Sequence, residues 1–301
     1  MPKPLHVPVF HSATTRALLW SAAAGLLFSA LNASLRALSQ ELHPMLVQCL
    51  RYLFGIAALL PWLLRDGLAA YRPKQLGGHF VRGAVHTVGL VLWFIALPHL
   101  ALADTTAIGF SGPIFIMIGA ALFLREPMRW ERWLATAIGF GGMLIVVAPG
   151  LSGQGGGYHL VMLASAPVFA ASFLLTKALT RHESPGVIVL WQAISVTLFS
   201  LPLAWPHWQM PSAGQWLAFA ACGALGSAGH YCLTRSYVQA DISATQSAKF
   251  LELIWAALQG WWLFSDLPTQ TALLGGTVIA AATVWLARRE SRTAVRLPAE
   301  R

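Results

Sequence analysis

Ten stretches of roughly twenty consecutive apolar residues run the length of the chain, and nothing else in it limits the fold as severely. They fall at 17–38, 45–64, 78–98, 102–124, 130–148, 158–178, 186–205, 214–236, 241–264 and 269–287. At about 1.5 Å of rise per residue, a helix needs about twenty residues to cross a hydrocarbon core of about 30 Å. Apolar residues are continuous within each stretch, and the ten-residue alternation of a barrel strand is absent. In lipid, helices are then the remaining way to satisfy the backbone. Charged residues make up 10% of the chain, against about 25% in a soluble domain. The expected fold class is therefore all-α and integral to a membrane, with ten transmembrane helices.

The net charge of +9 would suit a nucleic-acid binder, but its distribution does not. With the N-terminus placed inside, seventeen of the twenty Lys and Arg residues fall in inner segments, Arg82 counted among them. The five outer connections hold none. This is the positive-inside asymmetry of a multi-pass protein whose termini both lie in the cytoplasm. It makes the lipid bilayer the partner and excludes nucleic acid. The stretch SAAAG in the first run has the look of a signal cleavage site, yet nine runs follow, so it is read as part of a span. The segment 288–301 is expected to be a basic, solvated cytoplasmic tail. Cys49, Cys222 and Cys232 lie inside spans, with no CxxC and no disulfide framework.

An internal repeat sets the architecture. FSALNASLRALSQELHP ends at Pro44 and FAASFLLTKALTRHESP ends at Pro185. In that register Phe28 matches Phe169, Arg36 matches Lys177, Arg51 matches Gln192 and Pro61 matches Pro202. Further on, PIFIMIGAALFLREP from Pro113 aligns with LIWAALQGWWLFSDLP from Leu253, with the offset changed by one residue. The glycine-rich linker GLSGQGGGYH separates the halves. The expected domains are 17–148 and 158–287, five helices each. Five is odd, so the second repeat enters the membrane in the opposite sense. Inverted repeats of this kind can rock about a site near the membrane midplane.

Four stretches carry a family resemblance: VQCLRYLFGIAALLPWLL after Pro44, ALADTTAIGFSGPIFIMIGAALFLREP, WLATAIGFGGMLIVVAPG and WAALQGWWLFSDLP. With them the chain resembles a ten-helix EamA-like member of the bacterial drug/metabolite transporter superfamily, over nearly everything between residues 17 and 290. The resemblance implies a location in the bacterial inner membrane and movement of small metabolites, outward in some members and inward in others. It also leads one to expect an arginine at position 51.

Lys249 and Glu252 pose the sharpest chemical question, because both lie inside the ninth span. A charge at a helix centre costs roughly 2.5–3.5 kcal/mol on insertion scales. Spaced three apart they share a helix face, so they either neutralise each other against a neighbouring helix or line a solute path. Ten of the tryptophans sit near span ends, as an interfacial belt requires. Trp93, Trp191 and Trp255 lie deeper, as packing residues or as aromatic walls for a planar or cationic solute. Gln192 adjoins Trp191. Arg51 is either a structural anchor or a solute contact, and His86 and His230 either pack or line the path. Pro113, mid-span, is expected to kink the fourth helix and serve as a hinge. Asp104 and Asp241 are expected to cap spans four and nine, and Glu126 and Asp266 to close them at the surface.

No motif for a metal or cofactor site is present: HExxH, HxxxH and Cys/His clusters are missing, as are GxSxG and the P-loop. The reading that follows is a secondary transporter of a small organic metabolite, amino-acid-like, nucleoside-like or vitamin-like. The alternative is an integral membrane enzyme acting on a lipid-linked substrate.

Overall fold

A computed structural model describes residues 13–100, 108–148, 156–264 and 270–296. These form ten α-helices: α1 (Ala13–Glu41), α2 (Pro44–Asp66), α3 (Leu76–Ala96), α4 (Gly112–Leu124), α5 (Trp130–Val147), α6 (Tyr158–Leu179), α7 (Pro185–Ala204), α8 (Ala213–Gln239), α9 (Leu251–Phe264) and α10 (Gln270–Arg296). No strand occurs among the described residues. Each helix falls on one of the ten apolar runs. Among the described residues, α1, α2, α3, α6 and α7 are each long and apolar enough to cross a membrane. The outward faces carry large apolar side chains such as Leu122, Phe123, Leu160, Leu217 and Leu274, a surface suited to lipid and unsuited to water.

Local sequence explains the helix ends, and the repeat explains why they come in pairs. Pro44 opens α2 and Pro185 opens α7, each in the first turn, where the missing N–H has no helical partner to lose. The residue before each proline caps its helix. The His43 side chain accepts from the Met45 amide and Ser184 Oγ accepts from the Val187 amide. Pro61 and Pro202 then lie inside the same two helices.

Helix pairing shows the relation between halves directly. Exchanging each helix with the one five places on maps α1·α8 onto α6·α3, α2·α8 onto α7·α3, and α1·α9 onto α6·α4; all six pairs pack together. The pairs α2·α7 and α5·α10 map onto themselves and also pack. Such a pattern is the contact signature of a pseudo-twofold axis, and with five helices per half it gives two inverted repeats. The matched phenylalanines obey the same symmetry. Phe169 presses on Gly89 of α3 and Phe28 on Gly229 of α8, where an added Cβ would stand 3.0 Å and 2.8 Å from the rings. Glycine is what lets the helices approach at both places.

Two expectations need correction. Pro113 does not kink a continuous helix; it lies in the first turn of α4, after a turn in which Ser111 Oγ donates to the Ile108 carbonyl at 2.6 Å. A proline there replaces an N–H that would have been unpaired, so the backbone breaks just before it. The ninth span is also interrupted. Ile242–Phe250 is a nine-residue 3-10 segment leading into α9, and its polar side chains turn back on their own backbone. Thr245 Oγ1 and Gln246 Nε2 both donate to the Ile242 carbonyl, at 2.8 Å and 2.7 Å. Separately, α10 runs on without a break through the first part of the basic segment, as far as Arg296. Asp104 and Asp266 lie outside the described residues.

Candidate functional site

The start of the ninth span is built by residues from the other half. Glu126, expected at the surface, is buried and accepts from the Ile242 amide (2.8 Å), the Ser243 amide (3.0 Å) and Ser243 Oγ (2.6 Å). It therefore caps the 3-10 segment across the repeat boundary. Asp241, the expected cap, makes no capping bond and instead meets Arg132 Nη1 at 3.0 Å. Arg132 also donates to Ser243 Oγ at 2.9 Å. Lys177 holds the end of α8, donating to the carbonyls of Tyr237 and Ala240.

One turn further, Lys249 Nζ bonds Glu252 Oε2, and Asn32 Nδ2 of α1 donates to Glu252 Oε1 at 3.0 Å. Glu252 is buried, while the Lys249 side chain is 41% exposed. The carboxylate thus faces α1, the neighbouring helix of the opposite repeat. Trp255 Nε1 donates to the Ala22 carbonyl at 3.0 Å and fixes α9 to the same helix. The Lys249 ammonium also lies 5.8 Å from the Phe28 ring and 5.9 Å from the Phe110 ring, within the range of cation–π attraction.

Phe28 connects this pair to a second polar group. Its ring meets His230 of α8 edge-on at 5.0 Å, and His230 lies 5.7 Å from His86 of α3. His86 Nε2 is 2.8 Å from the Tyr52 hydroxyl and its Nδ1 is 3.0 Å from Ser172 Oγ. Gln192 Nε2 of α7 lies 3.4 Å from His230 Nε2. The Gln192 Oε1 atom accepts from Arg82, which also donates to the Ile188 carbonyl at 3.0 Å. Arg51, Tyr52, Gln192, Ser227 and His230 border a narrow cleft between α2, α7 and α8. Every one of these side chains is buried, which in an otherwise apolar bundle is expensive unless the groups satisfy each other or a ligand.

Of the residues expected at a site, the fold brings together Arg51 and Gln192 in the cleft, with His86 behind it against Tyr52 and His230, Lys249 and Glu252 reached through Phe28, and Trp255 one turn on, held to α1. The repeat mates Arg51 and Gln192 line one cleft, as a site on the pseudo-twofold axis requires. Trp191 and Trp93 stand apart. Trp191, in the second turn of α7, donates to the Tyr71 carbonyl at 3.0 Å and packs on Phe80. Trp93 sits in the last turn of α3, edge-on to Phe94. Sequence reasoning missed Arg82, Tyr52, Asn32 and Ser172. Arg82 was counted as an inner-face cation, yet it is 1% exposed; its position inside the run 78–98 was the available signal. Among the described residues no cluster of His, Cys, Asp or Glu is arranged to hold a metal ion.

Ten membrane helices in two exchangeable halves, enclosing a polar cleft, define a carrier of small molecules. The chain belongs to the EamA-like transporter family, whose model matches residues 15–148 and again 157–288. It is 31% identical over 283 residues to a riboflavin transporter of Vibrio cholerae, covering 91% of this chain and 93% of that one. It is 28% identical to an S-adenosylmethionine uptake transporter of Rickettsia felis (85% and 86% covered) and 28% identical to the pseudopaline exporter CntI of Pseudomonas aeruginosa (87% and 92%). A solved crystal structure superposes with a TM-score of 0.77 at 17% identity, over 92% of this chain and 98% of the other. The protein is a small-metabolite transporter of the membrane, and the reading as a membrane enzyme falls.

Proposed function

We propose that the protein is a secondary transporter of the bacterial inner membrane, with both termini cytoplasmic, that moves its solute by alternating access. The observation that carries this reading is the buried Glu252 carboxylate, turned toward Asn32 of the opposite repeat and away from the lipid-facing surface. A charge pair that merely tied two helices together would not need an aromatic ring between it and a second polar group. Phe28 stands in that place, so the solute path runs from Lys249 and Glu252 past Phe28 to His230, Gln192 and Arg51. The two backbone interruptions, before Pro113 and at Ile242–Phe250, occupy equivalent places in the repeats. They are the hinges about which the halves rock.

The aromatic surround of Lys249 suits a solute with a planar ring, such as a nucleoside-like, vitamin-like or aromatic amino-acid-like metabolite. Relatives that carry riboflavin or S-adenosylmethionine in their names support that class. Glu252 is the carboxylate through which a proton gradient acts on the cycle. Untargeted metabolite profiling of overexpressing and deletion strains, followed by flux into liposomes, tests the proposal. A ring-bearing metabolite should change level between the strains and cross liposomes only when the protein is present. Unchanged metabolite pools and no flux would dismiss it. A Glu252→Gln protein that keeps full pH-gradient-driven flux would remove the proton from the mechanism.

A further inference from the structure

We infer that the cleft beside Arg51 receives an anionic group, a carboxylate or a phosphate, of the transported solute. The inference deepens the transport reading and rests on it. Arg51 is 6% exposed, and among the described residues its guanidinium meets no carboxylate and makes no hydrogen bond to the protein. Its Nε is buried without a partner. Its guanidinium lies over the face of the Tyr52 ring, 4.1 Å away. A buried cation left in that condition is costly, and a planar fork of five donors matches a carboxylate or phosphate in two-point contact.

Neighbouring residues increase the positive character of the place. Arg82, 1% exposed, also meets no carboxylate among the described residues; two of its nitrogens are occupied by Ile188 and Gln192, and its Nε has no partner there. Gln192, His230 and Ser227 add polar groups to the lining of the cleft. The backbone of α8 is shaped for the guanidinium too. At Gly226 an added Cβ would stand 2.8 Å from Arg51 Nη2, so only glycine leaves the arginine its position. The arrangement is asymmetric between repeats, since Gln192 stands where Arg51 stands in the first half. One anion, oriented one way, is what such a site selects.

Matched pairs of solutes differing in a single anionic group test this. Riboflavin with riboflavin 5′-phosphate, and tryptamine with tryptophan, are the probes, and binding is read by isothermal titration calorimetry in neutral detergent. The anionic member of at least one pair should bind at least tenfold more tightly than its partner. That preference should vanish in Arg51→Gln and survive in part in Arg51→Lys. If Arg51→Gln does not fold, Gly226→Ala, which displaces the same guanidinium, replaces it. Equal binding within every pair, binding of neither member, or a preference unchanged in Arg51→Gln overturns the inference. Repeating the titration with added phosphatidylglycerol separates a solute site from a lipid-headgroup site; loss of the preference on adding lipid also overturns it. If neutral solutes still cross liposomes, only the anion inference fails; if nothing crosses, the transport reading fails with it.

Discussion

Replacing Glu126 by glutamine should loosen the start of the ninth span. The carboxylate accepts three hydrogen bonds there, from two backbone amides and one hydroxyl. A bond to a charged acceptor contributes about 1.5–3 kcal/mol, and loss of an ordinary helix cap costs about 1 kcal/mol. Glutamine keeps one oxygen and so one amide acceptor, but it turns an NH2 toward Ser243, whose amide then faces a donor. Two contacts are lost or reversed, and the Ser243 hydroxyl recovers part of the loss by rotating. The net cost should be about 2–4 kcal/mol, a fall of about 5–10 °C in melting temperature on the scaling for large domains. Purified protein in neutral detergent, melted under intrinsic fluorescence, gives the number. Glu41→Gln, which alters an exposed carboxylate bonded to Gln215, is the control and should change the midpoint by about 1 °C or less. If Glu126→Gln melts with the wild type, the cross-repeat cap does not hold the segment as described.

Other consequences follow from the same geometry. Lys249→Met and Glu252→Gln should each destabilise by about 1–2 kcal/mol, discounted for the exposure of the lysine. The double variant should cost less than the two singles together, and a double-mutant cycle that closes additively would show the pair is not coupled. Gly229→Leu drives a side chain into the Phe28 ring and should reduce both folded yield and flux; wild-type behaviour of both would remove the close approach from the design. His43 and His207, on neighbouring connections, stack at 3.5 Å. Burial and then the His207 charge lower the His43 pKa below its ordinary 6.5. The folded state therefore binds fewer protons than the unfolded one, and the stack's contribution is complete above about pH 6.5 and declines as pH falls through that value. His43→Gln with His207→Gln should flatten the acid limb of the melting curve, and an unchanged limb would contradict the assignment.

Much of this architecture was legible because lipid leaves so few choices. Run length set the helices, and the matched prolines 44 and 185 set the register of the repeat, both falling in a first turn where a proline loses no helical bond. Lys249 and Glu252 announced themselves by cost alone. The ninth-span interruption was less visible. ISATQSAKF contains neither proline nor glycine, and its break comes from hydroxyl and amide side chains competing for the backbone. Glu126 and Asp241 exchanged the roles expected of them because a cap can arrive from across the fold, which spacing along one helix does not reveal. Arg82 was misplaced for a simpler reason. A basic residue a turn inside a span counts toward the inner surface in a tally of charge, although its side chain turns inward to Gln192. Trp191 was deep by sequence position but bonds to Tyr71, because the connection before α3 folds back over the start of α7.

The most direct test is which side of the membrane can reach Ser227, a residue of the cleft. Ser227→Cys, in a background where Cys49, Cys222 and Cys232 are replaced, would be labelled with a membrane-impermeant thiol reagent in oriented vesicles. An alternating carrier predicts labelling from either side, and a transported solute should slow both reactions. Labelling from one side alone, or from neither, would contradict a site that opens in turn to the two faces of the bilayer.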